Sequence, residues 1–214
     1  MKNVLHVMAS VMMLTIAVTA SAQKGLSLSV KGIPQFAWSH NSDDKDISGY
    51  KGKSKFRAAF GVGAEYGLTK NIGLGLDVLF SLQGKKYDLN KVPYDLINDY
   101  VKIPVYLIYN SGSKSKIAFV GKLGPQFGIL SRSRLKGNNK DIDTKDLYKN
   151  FNVGVATNAG IQLELSKNFF LDGGLRFDYD FTNAEDEQFS TNRGRASSHN
   201  STLGLEIGMK FRVL

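Results

Sequence analysis

Residues 203–213 read Leu-Gly-Leu-Glu-Ile-Gly-Met-Lys-Phe-Arg-Val and carry the strongest structural signal in the chain. Every second position is apolar, and the positions between them hold glycine, Glu206, Lys210 and Arg212. Successive side chains of a β-strand point to opposite faces, so this stretch predicts a strand with one apolar face and one polar face.

The same alternation recurs through most of the chain. Clear two-residue periods cover 72–82, 151–165 and 169–181, and weaker ones cover 26–38, 57–68, 100–109 and 117–130. With the last segment they predict eight strands. Each is close to the roughly 9–11 residues that a tilted strand needs to cross a bilayer.

The connections between these strands alternate in length. Segments 69–71, 110–116 and 166–168 are short, whereas 39–56, 84–99, 131–149 and 182–200 are long and polar. Short turns at one end, long loops at the other and an even strand number are typical of outer-membrane barrels. We therefore predict an all-β fold, an eight-stranded antiparallel up-and-down transmembrane β-barrel of the outer-membrane type. Both termini would lie on the periplasmic, short-turn side.

The N-terminal residues predict a targeting segment. Lys2 gives a basic start, residues 4–18 are mostly apolar, and Thr19-Ala20-Ser21-Ala22 offers a cleavage site. We predict a cleavable signal peptide over 1–22 and an outer-membrane β-barrel domain over 23–214. An N-terminal membrane anchor is disfavoured, because the apolar stretch is short for a spanning helix.

The composition excludes several function classes. The 214 residues include no cysteine, which rules out disulfides, a thiolate metal site, a cysteine nucleophile and a lipoprotein anchor. The net charge is +9, but no basic stripe interleaves with aromatic residues, so no nucleic-acid binding is predicted. The chain has no phosphate-binding loop, dinucleotide fingerprint or HExxH motif.

Charges on the polar faces indicate which face meets lipid. The polar strand positions hold seven cations and seven anions: Lys31, Arg57, Lys102, Lys122, Arg176, Lys210 and Arg212, with Glu65, Asp77, Glu164, Asp172, Asp178, Asp180 and Glu206. A narrow, closed interior tolerates charges only when they are paired. The apolar faces should therefore contact lipid. Aromatic residues near strand ends should mark the membrane boundaries: Trp38, Tyr66, Tyr100, Tyr109, Phe169, Tyr179 and Phe181.

The excess positive charge lies outside the strands. Segment 131–149 alone has six bases and three acids, a net +3. Outer-membrane lipids and lipopolysaccharide are the predicted partners of these basic residues.

Little in the sequence indicates catalysis or cofactor binding. His40 with Ser39 or Ser42 could serve a lipid-modifying hydrolase, but no third group in a recognisable spacing would orient the base. The acidic runs 43–46, 141–143 and 185–187 lack a complete calcium-loop pattern and should be solvated. We predict no catalytic residues, cofactor or metal ligands.

Three segments carry a family resemblance: Tyr100-Val101-Lys102-Ile103-Pro104-Val105-Tyr106-Leu107-Ile108-Tyr109, Gly61-Val62-Gly63-Ala64-Glu65-Tyr66 and Leu123-Gly124-Pro125-Gln126-Phe127-Gly128. They resemble the PorT-like outer-membrane β-barrel family of Bacteroidetes. The resemblance implies an eight-stranded barrel of the Gram-negative outer membrane and an accessory role in protein secretion, with secretion-system components as partners. The last strand also resembles the signal read by the barrel assembly machinery during insertion.

The predicted function is structural or interaction-based, not enzymatic, and acts through the long surface loops. A narrow pore and a lipid-modifying hydrolase are the alternatives. Pro34, Pro104 and Pro125 cannot donate to a strand ladder, so a β-bulge is predicted at each.

Overall fold

The computed structural model describes residues 25–112, 116–138, 140–189 and 194–213. The predicted signal peptide lies outside these ranges. Within them the chain forms ten strands: β1 (Leu26–His40), β2 (Tyr50–Lys53), β3 (Lys55–Gly67), β4 (Ile72–Leu89), β5 (Val92–Asn110), β6 (Ile117–Gly137), β7 (Lys140–Asp143), β8 (Phe151–Ser166), β9 (Phe169–Asp180) and β10 (His199–Arg212). Two short 3-10 helices cover Ser42–Lys45 and Lys145–Leu147. No helix in the described part of the chain is long and apolar enough to span a membrane.

Eight of these strands close into an antiparallel barrel. The order around it is β1, β3, β4, β5, β6, β8, β9 and β10, and β10 pairs back with β1. The closing pair runs from Ser27 opposite Arg212 to His40 opposite His199. The short strands β2 and β7 extend this ring at the long-loop end, by pairing with β4 and β6. The predicted eight-stranded fold is confirmed.

The two faces of the strands have the predicted orientation. Leu205 and Phe211 are 47% and 51% exposed, whereas Arg176 and Glu206 are 1% and 2% exposed. Outward-pointing Leu, Val, Ile and Phe side chains form a continuous apolar band around the barrel. The polar and charged side chains point into the lumen, so the apolar band is the surface that a bilayer would cover.

The barrel is taller on one side. Strands β4, β5 and β6 have 18, 19 and 21 residues, whereas β1, β9 and β10 have 15, 12 and 14. At the long-loop end, β2, β4, β5, β6 and β7 form a sheet that continues beyond the other strands. We call this sheet the tall wall, and the ends of β1, β9 and β10 the low wall.

The tall wall corrects the prediction that 84–99 is a loop. β4 and β5 continue through this segment and turn only at Asn90 and Lys91, both with positive φ, as in a tight two-residue hairpin. Four consecutive residues, 96–99, are buried. The apolar and polar positions therefore do not alternate, and the sequence gives no two-residue period here.

The predicted proline bulges are wrong. At Pro104 the pairing with β4 is interrupted for two residues and then continues in the same register. On its other side Pro104 stays paired with Gln126 of β6. Pro34 and Pro125 likewise lose pairing with one neighbour only and shift no register. A missing N–H removes a donor on one side of the strand, which does not require an inserted residue. Register shifts occur instead at Asp99/Tyr100 and in 164–166.

Candidate functional site

A network of ion pairs fills the middle of the lumen. Lys31 Nζ lies 2.7 Å from both carboxylate oxygens of Asp77. Lys122 Nζ lies 2.9 Å from Glu65 Oε1 and 3.3 Å from Glu206 Oε1. All five side chains are buried, and they come from five different strands. The network therefore ties the barrel together across its axis.

Arg176 is the centre of this network. Its guanidinium lies 2.9 Å from Asp178 Oδ1 and 3.2 Å from Glu206 Oε2. It also donates to Gln126 Oε1 at 3.1 Å and to the hydroxyl of Tyr106. The planar fork of an arginine can bind several acceptors at once, and here it links four strands.

Further pairs continue the network towards both ends. Near the long-loop end, Lys102 Nζ lies 2.6 Å from Asp180 Oδ1, and Asn152 donates to the same carboxylate at 3.0 Å. Near the short-turn end, Lys210 Nζ lies 2.7 Å from Glu65 Oε2 and 3.4 Å from Asp172 Oδ2. Paired charges therefore occupy most of the height of the lumen.

The predicted charge pairing is confirmed, but the predicted set of lumen charges needs correction. Among the described residues, five predicted cations and six predicted anions are buried in the lumen: Lys31, Lys102, Lys122, Arg176 and Lys210, with Glu65, Asp77, Asp172, Asp178, Asp180 and Glu206. Arg212 is exposed at the short-turn end, where its guanidinium lies 4.9 Å from the centre of the Phe170 ring. Glu164 is half-buried. Arg57 pairs with Asp99, which was not among the predicted lumen charges.

The lumen is packed rather than open. Tyr100, Tyr106 and Arg176 are each at most 1% exposed. A small cavity remains beside Gly160 and Gly174, where side chains are absent. Its charged lining residues, Lys122, Asp172 and Glu206, belong to the ion-pair network.

Two segments close the mouth at the long-loop end, and we call them the cap: 41–46, and the described parts of 181–198. On the tall-wall side, the backbone N–H of Lys149 donates to the Ala184 carbonyl at 2.9 Å. On the low-wall side, the hydroxyl of Ser198 lies 2.9 Å from that of Ser39 in β1. The two cap segments are joined to each other, because the N–H of Ala196 donates to Asp43 Oδ2 at 2.7 Å and Asn41 donates to the Ala196 carbonyl at 2.7 Å. The cap is therefore anchored on both sides of the mouth.

Asp44 is the electrostatic centre of the cap. Its carboxylate lies 2.7 Å from Lys85 Nζ and 2.7 Å from Arg195 Nη2, and Arg195 Nε lies 3.1 Å from Glu185 Oε2. Burial opposes ionisation of Asp44, but the hydrogen bond and charge of Lys85, together with hydrogen bonds from Tyr50 and Arg195, outweigh it and lower the pKa of this carboxyl. Burial and a hydrogen bond to Asp44 raise the pKa of Tyr50.

The prediction that the acidic runs are solvated is therefore wrong for two residues. Asp44 and Glu185 are both buried in the cap. The partners of Asp44 lie 41 and 151 residues away in the sequence, and that of Glu185 lies 10 residues away across the same loop, so no short pattern reveals them. Asp141 fits the prediction better, because it is exposed and pairs with the half-exposed Arg134 on the tall wall.

A family profile described as "Outer membrane protein beta-barrel domain" matches residues 7–213. The chain belongs to this family. An outer-membrane β-barrel places its long loops outside the cell and its short turns in the periplasm. The cap and the tall wall of this outer-membrane barrel therefore face the extracellular medium, and its apolar band faces lipid.

Solved structures of other outer-membrane barrels share the fold. Neisserial surface protein A superposes with a TM-score of 0.51 at 14% identity, over 87% of this chain and 96% of that one. OprG from Pseudomonas aeruginosa gives 0.53 at 13% identity, over 88% and 95%. A major outer membrane protein from Thermus thermophilus gives 0.53 at 13% identity, over 87% and 99%. No curated protein matches the sequence.

Aromatic residues of the barrel occupy three different environments. Tyr109 and Phe181 point outward at the edges of the apolar band, as predicted. Tyr100 does not, because it shares the inward face of β5 with Lys102 and is buried. The same alternation that predicts an inward Lys102 also predicts an inward Tyr100, because the two residues are two positions apart on one strand. A third environment lies on the tall wall, where the rings of Tyr50, Tyr87 and Tyr94 stack at 5.3 Å spacings.

Three cations follow one another on the outer face of β6. Arg132, Arg134 and Lys136 are about half-exposed, and we call them the basic column. Arg132 Nε donates to Asp99 Oδ2 at 2.8 Å. The column begins three residues beyond Ile129, which belongs to the apolar band.

The candidate hydrolase residues Ser39 and His40 do not come together. Ser39 and His40 are consecutive strand residues and point to opposite faces. The Ser39 hydroxyl lies 2.9 Å from the hydroxyl of Ser198. Ser42 is exposed on the first 3-10 helix.

Proposed function

We propose that this protein is a non-conducting outer-membrane β-barrel that presents a rigid extracellular surface for interaction with other molecules. The packed, charge-paired lumen supports this proposal most directly. An ion crossing it would have to displace buried pairs such as Lys31–Asp77, and separating a buried pair leaves an uncompensated charge. The cap adds a second closure at the extracellular mouth.

Conductance in planar bilayers tests this proposal against the narrow-pore alternative. The folded protein should show no steady conductance above that of the bare membrane, with a general porin as the positive control. A large, steady, voltage-independent conductance would contradict the proposal.

The proposal assigns no catalytic role to the barrel. Its support is the separation of Ser39 from His40 on opposite faces of β1. Purified protein incubated with lipopolysaccharide should release no fatty acid, as measured by mass spectrometry. Acyl release that disappears in His40→Ala would instead favour the hydrolase alternative.

Lipopolysaccharide phosphates are the proposed partners of the basic column. Arginine binds phosphate through paired hydrogen bonds, and the column stands directly above the lipid-facing band. Replacing Arg132, Arg134 and Lys136 by serine should reduce co-purified lipopolysaccharide. Binding of phosphorylated lipid A should fall more than binding of dephosphorylated lipid A. Equal retention of both would contradict a phosphate contact.

The maturation steps belong to the same proposal. Cleavage of residues 1–22 and insertion by the barrel assembly machinery are supported by the N-terminal pattern and by the last strand. N-terminal sequencing of the protein from outer membranes should begin at Gln23. A sequence that begins at Met1 would contradict cleavage.

An accessory role in protein secretion is the second candidate function. Its support is the PorT-like segment 100–109, which forms part of β5. Deleting the gene should lower the amount of exported protein in the culture medium while leaving it unchanged inside the cell. An unaltered set of secreted proteins would contradict this role.

A further inference from the structure

The two histidines of the described chain meet where the barrel closes. His40 is the last residue of β1, His199 is the first residue of β10, and the two are directly opposite in the ladder. Opposite residues in an antiparallel pair point to the same face, with Cβ atoms about 4.5–5.5 Å apart. His40 is exposed and His199 half-buried, so both rings are accessible at the extracellular rim of the low wall.

The His199 ring is held in an orientation that leaves one nitrogen free. Nδ1 lies 3.1 Å from the backbone carbonyl of Asp180, and the ring stacks on Tyr179 at 5.8 Å with an interplanar angle of 24°. A carbonyl oxygen can only accept, so in the neutral ring Nδ1 carries the proton and Nε2 keeps its lone pair. Metal-binding histidines in proteins are commonly oriented by this kind of hydrogen bond to a carbonyl.

We propose that His40 and His199 form a two-histidine binding site for a divalent transition-metal ion such as Cu²⁺, Ni²⁺ or Zn²⁺. Imidazole nitrogens prefer these ions, whereas Mg²⁺ and Ca²⁺ prefer oxygen ligands. Within the described ranges, no group of three histidine, aspartate or glutamate side chains is placed to hold a metal ion. The remaining coordination positions therefore belong to water or to an external ligand.

The position of the site gives metal binding a structural effect. His40 and His199 belong to the first and last strands, so a shared metal ion would clamp the strand pair that closes the barrel. A ligand that binds only the folded state raises the stability of that state. This site lies on the outer surface, and the inference goes beyond the proposed function in the lumen and on the tall wall.

Calorimetric titration of the untagged, detergent-folded protein with Cu²⁺ and with Ni²⁺ tests the proposal. One ion should bind per chain, and His40→Ala and His199→Ala should each weaken binding by about tenfold or more, since removing a ligand costs at least as much as removing a second-shell partner. Ser42→Ala, an exposed position two residues after His40 in the sequence, should bind like the wild type. The thermal unfolding temperature should rise with Cu²⁺ in the wild type and Ser42→Ala only.

Two results would overturn the proposal. One is the absence of Cu²⁺ and Ni²⁺ binding at millimolar concentration. The other is binding that both histidine variants retain in full, which would place the ion elsewhere. Heat-modifiable migration of each variant in gels separates lost binding from lost folding.

Discussion

Charged side chains pair in buried surroundings in the lumen and in exposed surroundings on the tall wall. In the band, Lys31 and Asp77 pair inside the lumen with both side chains at most 1% exposed. On the tall wall, Lys53 and Asp88 pair at the same 2.7 Å distance, but their side chains are 59% and 29% exposed. The two pairs have the same distance but different surroundings. Burial rather than distance therefore decides how much the loss of one partner changes the free energy of unfolding.

The cap lies between these two extremes. Asp44 contacts Lys85 and Arg195, with side chains that are largely but not fully withdrawn from water. If burial sets the contribution of a pair, substitutions in the lumen, the cap and the tall wall should differ in that order.

The largest effect is expected for Arg176→Ala in the lumen. It removes the cation that binds Asp178 and Glu206, and leaving a buried charge without its partner typically costs about 3–5 kcal/mol. Urea unfolding in lipid vesicles should show a free energy of unfolding lower by about this amount. The neighbouring lipid-facing substitution Leu175→Met is the control and should change it little. A decrease in the free energy of unfolding below about 1 kcal/mol, as for an exposed pair, would show that burial in the lumen does not make a pair more important than exposure on the tall wall does.

An intermediate effect is expected for the cap, and it should depend on pH. The pKa of Asp44 is lowered in the folded state, so its contribution is present above the unfolded carboxyl pKa of about 3.9 and is lost as pH falls through the lower, folded value. Asp44→Asn should make opening of the cap easier by roughly 1.5–3 kcal/mol near neutral pH.

Hydrogen exchange of the described cap residues 181–189 measures this opening. In the wild type their protection should decrease as the medium is acidified below about pH 4. In Asp44→Asn protection should already be low at neutral pH and should change less on acidification. Equal acid sensitivity in both proteins would assign the effect to another carboxyl group.

The smallest effect is expected for Asp88→Asn on the tall wall. Exposed ion pairs typically contribute about 0.2–1 kcal/mol and weaken in salt. The free energy of unfolding should therefore fall by no more than about 1 kcal/mol, and the difference from the wild type should vanish at about 1 M salt. A larger loss that persists in salt would show that the tall wall depends on this pair as the lumen depends on Arg176.

The same contrast explains which parts of the molecule could be predicted. At the level of the apolar band, each strand has lipid on one side and the packed polar lumen on the other. Apolar and polar residues therefore alternate, and the sequence of 203–213 predicts which residues lie on each face. On the tall wall Leu96, Ile97 and Asn98 are buried in succession, and no period survives.

Long-range contacts limited prediction of the candidate sites. The burial of Asp44 depends on Lys85 and Arg195, which lie far away in the sequence. The pairing of His40 with His199 depends on the register between the first and last strands. A single sequence contains no local signal for either. Tyr100 differs, because its shared face with Lys102 could have been recognised from the alternation alone.

The ion pairs of the last strand have a consequence for biogenesis. Glu206 and Lys210 find their partners on other strands, among them Lys122 and Glu65. Until β10 docks, these charges have no counterions in the half-built interior, which favours a single cooperative closing step. A slip of β10 by one residue would turn both side chains towards lipid. A barrel with β10 in the wrong register would therefore be unstable, and the ion-pair network would select the correct register during assembly.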